Sequence, residues 1–271
     1  MFVVISAHGQ TPGTRQAALE QKIEDLQSDI EFIGEGEGLI SPLNQLGGAY
    51  SSLGKFDEAA EAYQRTLKLS EKVHGKQHPQ VAHFLNELAL VLVFQGKFEK
   101  GEAMHRKALA IRKELHGEVH LQVAQSLNNL AQALANQRKY AKTEAIQRET
   151  LAMHKRLFGE EHSQVAGPLV KLAYILDKQE ADQHFERAFA IWERVFGEGH
   201  ASTAYALIGF AESQQKRGNH AKAKPLAERA LAIREKALPP GHLDLSDTLE
   251  TLAEIHIGLG DPKEAKRYAS R

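Results

Sequence analysis

Five short segments, each opened by a histidine, return along the chain at nearly constant spacing. They are His78-Pro-Gln-Val-Ala82, His120-Leu-Gln-Val-Ala124, His162-Ser-Gln-Val-Ala166, His200-Ala-Ser-Thr-Ala204 and His242-Leu-Asp-Leu-Ser246, separated by 42, 42, 38 and 42 residues. A period in that range marks a protein built from one supersecondary unit copied in tandem. Such a unit cannot bury its apolar face alone and must stack on its neighbours. An earlier copy starts near Gly36, because Leu43-Asn-Gln-Leu46 aligns with Leu85-Asn-Glu-Leu88 and Leu127-Asn-Asn-Leu130.

Each copy reads as two helices. In the second, Val81, Ala82, Leu85, Leu88, Ala89 and Leu92 recur at helical spacing and form the apolar stripe of a helix A. Gly96-Lys-Phe98 breaks it, as Gly54-Lys-Phe56 and Gly218-Asn-His220 do elsewhere, since a glycine just past a helix supplies the left-handed residue that closes it. Helix B follows, with Phe98, Ala108, Leu109, Ile111 and Leu115 apolar. Ala59, Gly101, Thr143, Ala223 and Ala265 hold one of its positions, where small side chains let helix B cross helix A closely. The expected units are 37–77, 78–119, 120–161, 162–199, 200–241 and a truncated 242–271. Residues 14–36 precede them as an acidic amphipathic helix, with apolar residues from Ala18 to Ile33 and seven acidic against two basic residues through position 37. The fourth unit lacks four residues between Leu176 and Phe185, which predicts a shortened helix B or a tightened turn.

With these residues in view, the chain resembles the tetratricopeptide repeat (TPR) family, in the 42-residue form of kinesin light chains. Leu127-Asn-Asn-Leu-Ala131, Gly54-Lys-Phe-Asp-Glu-Ala-Ala60, Ala108-Leu-Ala-Ile-Arg112 and Ala230-Leu-Ala-Ile-Arg-Glu-Lys236 carry the resemblance over residues 37–271. It implies an all-α, right-handed solenoid of stacked antiparallel helix pairs, with a concave surface lined by the A helices. It also implies that one A-helix position, often Asn, hydrogen-bonds the backbone of an extended peptide, which here selects Asn44, Asn86 and Asn128. An amide carries both a donor and an acceptor, so it can pair with a peptide unit of any sequence. Helix neighbours three before, four after and seven after that position share its face. They add His83, Leu90, Gln125, Gln132, Tyr174, Tyr205 and Glu212, with Asp177, Gln215, Asp247 and Glu254 nearby. The surface would pass from amide and apolar character to tyrosines and then acids, matching a ligand with apolar or aromatic anchors and basic residues. The basic groove residues of kinesin light chains have no counterpart on these A helices.

Chemistry beyond recognition finds little support. There are no cysteines, and no nucleophile elbow, phosphate loop, dinucleotide fingerprint or His-Glu-x-x-His pair is present. The pairs His74/His78 and His116/His120 straddle glycine linkers, so a capping role for the linker histidines is expected over metal binding. No catalytic residue, metal or cofactor is expected. The acidic and histidine residues Asp177, Glu180, Asp182 and His184 are the one place where an enzyme site could hide. Arg112 and Arg234, late in helix B, are expected in solvated salt bridges; Trp192 holds their position in the fourth unit, as a partner contact or a filler. Thirty-four Lys and Arg against 35 Asp and Glu leave a formal charge of −1, which gives no electrostatic basis for non-specific nucleic-acid binding. No apolar run approaches the ~20 residues that span a bilayer. Residues 1–13 read as a loose end or the remnant of a signal peptide. The expected location is cytoplasmic in the first case, periplasmic or secreted in the second. The expected function is a non-catalytic interaction module for a protein or peptide partner. The alternative is a self-associating scaffold or regulatory fragment, with a second copy as partner.

Overall fold

The computed structural model describes residues 12–176 and 178–271. Residues 1–11 of the segment read as a loose end or signal remnant, and Asp177, lie outside the described residues. The described residues are helical throughout, without a strand, and divide into two compact units that meet in sequence between Lys139 and Tyr140.

The first unit contains α1 (Pro12–Ile33), a 3-10 turn (Glu37–Leu39), α2 (Ile40–Ser52), α3 (Phe56–His74), α4 (Pro79–Phe94), α5 (Phe98–His116) and α6 (Leu121–Asn136). The second contains α7 (Tyr140–Phe158), α8 (Ser163–Ala173), α9 (Lys178–Phe196), α10 (Ala201–Lys216), α11 (His220–Ala237), α12 (Leu243–Gly258) and α13 (Pro262–Ala269). Within each unit every helix packs on the next in sequence, and A helices also touch one another, α4 with α6 and α10 with α12. This is the stacked helix-pair architecture that the tandem pattern demands. The leading helix α1 packs on α2 through Ile23 and Leu26.

Two recurring devices set the geometry. At the A-to-B turns, Gly54, Gly96, Gly218 and Gly260 all take φ between 72° and 78°. The residue after each glycine then donates its N–H to a carbonyl five residues back, as Lys97 does to Leu92 at 2.8 Å, which closes the helix end. In the third copy Arg138 holds the same conformation, φ 58°, without glycine's freedom. At the heads of the A helices, His78, His120, His162, His200 and His242 are the N-caps. Each accepts at Nδ1 from the N–H two residues on, at 3.2–3.3 Å. A free helix N-terminus leaves such donors unpaired, and these rings satisfy one apiece. Each ring but the last also stacks on the residue four before it: His74, His116, Phe158 and Phe196, at 4.2–5.0 Å. The linker histidines are therefore structural caps.

Close A–B crossings occur where small residues were expected. A Cβ on Gly101 would meet Val93 Cγ2 at 2.7 Å and the Ala89 carbonyl oxygen at 3.0 Å. Ala59, Ala223 and Ala265 are buried, and Ala181 holds the position in the fourth copy. The missing four residues of that copy are not taken from helix B, which corrects the expectation. At 19 residues α9 is as long as α3, α5 and α7, whereas α8 has 11 against 16 in α4, α6 and α10. The shortening falls on helix A, since the link from α8 to α9 is no shorter than in the other copies, because α9 must keep Phe185, Ala188 and Ile191, all fully buried, on the core.

Candidate functional site

In the first unit, α2, α4 and α6 carry the A-helix face. Asn44 is half-buried in a shallow cleft of about 430 Å³ that it shares with His83, Glu87 and, from α1, Leu19 and Lys22. The chain's own leading helix thus forms one wall beside Asn44. His83 is exposed, its Nδ1 3.8 Å from Glu87 Oε1. Leu90 is half-buried. Gln125 and Gln132 are exposed, and Gln132 donates to Asn136 Oδ1 at 3.2 Å. Asn128 is half-buried, with Oδ1 shielded from solvent and without a hydrogen-bond partner among the described residues.

Asn86 behaves differently. Only 3% exposed, it donates to the Ala82 carbonyl at 3.2 Å, and its Oδ1 lies 2.8 Å from His105 Nδ1 on α5. Its amide is committed inside the helix pair rather than offered outward. With Oδ1 as acceptor, His105 carries its proton on Nδ1. Burial holds the imidazole neutral, with its pKa pushed down to about 4 and the Arg112 charge adding to the shift.

In the second unit, α8 and α10 bring Tyr174, Tyr205 and Glu212 together. The Tyr174 ring stands edge-on to Phe185, centroids 5.5 Å apart, and its hydroxyl lies 3.5 Å from Glu212 Oε2. Space for it exists because residue 209 is glycine, where a Cβ would sit 2.6 Å from the Tyr174 hydroxyl. Tyr205 is half-buried with its ring 6.3 Å from that of Trp192. Burial pushes the Glu212 carboxyl above its usual range, opposed by the Lys216 charge and the Tyr174 hydrogen bond. Burial, then the Glu212 charge, pushes both tyrosines up as well. Asp247 and Glu254 are exposed on α12, and Glu254 accepts from Gln215 at 3.1 Å. Asp177 lies outside the described residues.

Several side chains do other work than expected. Among the described residues Arg112 and Arg234 make no solvated salt bridges. Arg112 Nη1 donates to the Gln122 carbonyl at 3.1 Å and to Ser126 Oγ at 3.0 Å. Arg234, 5% exposed, donates to the Asp244 carbonyl and to Thr248 Oγ1. Each pins helix B to the first turn of the next helix A. A legible signal was the buried hydroxyl, Ser126 or Thr248, placed fourteen residues after the arginine on an otherwise apolar stripe. Trp192 is 8% exposed, lies in the core shared by α7 to α10, and donates to the Ser163 carbonyl at 3.2 Å. It fills space. The acidic residues of the fourth copy are engaged too: Glu180 takes a two-pronged pair from Arg148 at 2.7 and 2.9 Å, and Asp182 binds Gln214 and Arg217. Among the described residues no group of three His, Asp or Glu could hold a metal ion, and no helix is long and apolar enough to cross a membrane.

Fold and face together define a helix-pair repeat protein. The Tetratricopeptide repeat family profile matches residues 38–114, 82–155, 169–236 and 210–271, and the chain belongs to the tetratricopeptide-repeat family. Among solved structures it is similar to BtubC (BKLC) from P. vanneervenii, at 24% identity over 86% of this chain and 96% of that one, TM-score 0.65. A putative kinesin light chain from Podosopora anserina with nearly identical TPR-like repeats matches at 21% identity, covering 73% and 95%, TM-score 0.65. A Rap protein complexed with Competence and Sporulation Factor matches at 16% identity, covering 97% and 86%, TM-score 0.56. At these identities the likeness speaks to fold. No curated protein matches the chain in sequence.

Proposed function

We propose that the protein is a non-catalytic recognition module whose A-helix faces, taken unit by unit, bind extended peptide segments of a partner protein. One observation carries the reading. His83, Gln125 and Gln132 stay exposed and polar on α4 and α6, while Val81, Val123, Leu127 and Leu130 on the same helices are buried in the core. Imidazole and amide groups at helix spacing suit a peptide backbone, which presents one donor and one acceptor per residue. Asn44 and Asn128 add amides in the first unit; Tyr174, Tyr205 and Glu212 are the contacts proposed for the second. Asn86 is better placed as a structural residue. The complex of a similarly folded Rap protein with Competence and Sporulation Factor is consistent with recognition as the role of such a fold.

The test uses peptides selected from a phage-displayed random library on the intact protein. Binding is then measured on a His83→Ala, Gln125→Ala, Gln132→Ala triple variant. These are exposed positions, so the melting temperature should hold while affinity falls at least about tenfold, the cost of losing one or two hydrogen bonds. Unchanged affinity would remove the A-helix face from the mechanism.

A further inference from the structure

We infer that Tyr174, Tyr205 and Glu212 form a cradle for a cationic side chain, arginine or lysine, of the bound partner segment; this rests on the A-helix reading above. Three observations converge. First, Glu212 is half-buried, yet its carboxylate has one hydrogen bond, from Tyr174 at 3.5 Å, and no ion pair among the described residues. A partly desolvated carboxylate without a counter-ion is costly, and a cation arriving from outside repays that cost. Second, the cations nearest to it are not positioned to do so. Arg234 spends its guanidinium on Asp244 and Thr248, and Lys216, one turn further along α10, makes no ion pair with it. Third, two tyrosines accompany the acid: Tyr174, whose hydroxyl lies 3.5 Å from it, and Tyr205, two turns earlier on the same helix. Tyr174 is 43% exposed, its ring stands edge-on to Phe185, and its hydroxyl occupies space that Gly209 leaves open.

Aromatic faces attract ammonium and guanidinium groups, and a carboxylate beside them supplies the charge-assisted hydrogen bond. The surrounding field is mixed: Lys216 and Arg234 act on Glu212 with positive charge, without an ion pair to it among the described residues. Asp247 adds its negative charge at Glu212, and Glu254 is exposed on the same helix as Asp247. Guanidinium fits best, because its flat fork can stack on a ring while donating to Glu212.

The probe is a capped octapeptide alternating leucine and arginine, compared with the same peptide carrying citrulline, which keeps the shape and loses the charge. Binding to the full chain is followed by calorimetry and by the ring signals of Tyr174 and Tyr205 in NMR. The arginine peptide should bind at least about tenfold more tightly, the scale of one charge-assisted hydrogen bond, and should shift both ring signals. Glu212→Gln should erase the preference at an unchanged melting temperature, and Tyr174→Phe should keep most of it. Equal binding of the two peptides, or a preference that survives Glu212→Gln, overturns the cradle while leaving the A-helix reading to its own triple variant. Binding of neither peptide overturns the cradle as well.

Discussion

The two compact units solve the same packing problem with different chemistry. In the first, the layer between helix A and helix B is partly polar: Asn86 faces His105, one hydrogen-bonded pair buried to within 3% and 1% exposure. In the second, the aligned positions hold Val170 with Phe185, and Ile208 with Ala227, all buried. The outer faces differ in parallel, with imidazole and amides on α4 and α6 against phenols and a carboxylate on α8 and α10. One backbone plan thus tolerates either chemistry at the A–B layer, and Asn86 and His105 satisfy each other there. An apolar pair tunes stability by volume; a polar pair also makes it depend on protonation.

The largest expected effect lies in the second unit. Phe185→Ala removes a ring with no exposure, stacked on Phe210 at 5.6 Å, and should cost about 3–5 kcal/mol in unfolding experiments. Next comes acid. Because His105 is neutral in the fold down to about pH 4, it protonates in the unfolded chain first. Its contribution to stability is therefore intact above the ordinary imidazole range and lost as pH falls from about 6.5 towards 4, up to about 3 kcal/mol. His154 and His184 in the second unit are lowered by burial too and act with the same sign. His105→Gln should flatten only its own part of the pH profile, and an unaltered profile would show that His105 is not the group responsible.

A swap tests the comparison itself. Asn86→Val and His105→Phe should each cost about 1–3 kcal/mol, because each orphans a buried partner or crowds it. Together they import the apolar pair of the other unit, so the double variant should cost clearly less than the sum. Strict additivity would mean that the two residues do not act as a pair.

How much of this was readable in advance depends on range. The histidine caps, the glycine turns and the small residues at Gly101 and Ala59 are local devices, repeated in register, and the tandem pattern exposed them. The commitment of Asn86 was not readable, because it depends on His105 nineteen residues away, and the aligned asparagines, Asn44 and Asn128, are less deeply buried. The arginine staples hid for a similar reason: a charged residue late in an amphipathic helix reads as solvated until the facing carbonyl is known. The short copy misled because four missing residues can leave either helix, and only the need to keep Phe185 and Ile191 packed decides which.

Two smaller effects calibrate the shared devices. His120→Ala removes one cap and should cost about 1 kcal/mol, most of it restored by His120→Asn, which caps by the same logic. Arg138→Gly relieves a left-handed non-glycine residue at the A-to-B turn of the third copy, and should gain about 0.5–1 kcal/mol.

The most direct test of recognition by the A helices is photo-crosslinking with a library-selected peptide. Benzoylphenylalanine is placed at Gln125 or Gln132 on helix A, and at Ala103 or Lys107, exposed on helix B. Adducts at Gln125 and Gln132 with none at Ala103 and Lys107 are expected. Adducts confined to the helix B positions would contradict the assignment outright.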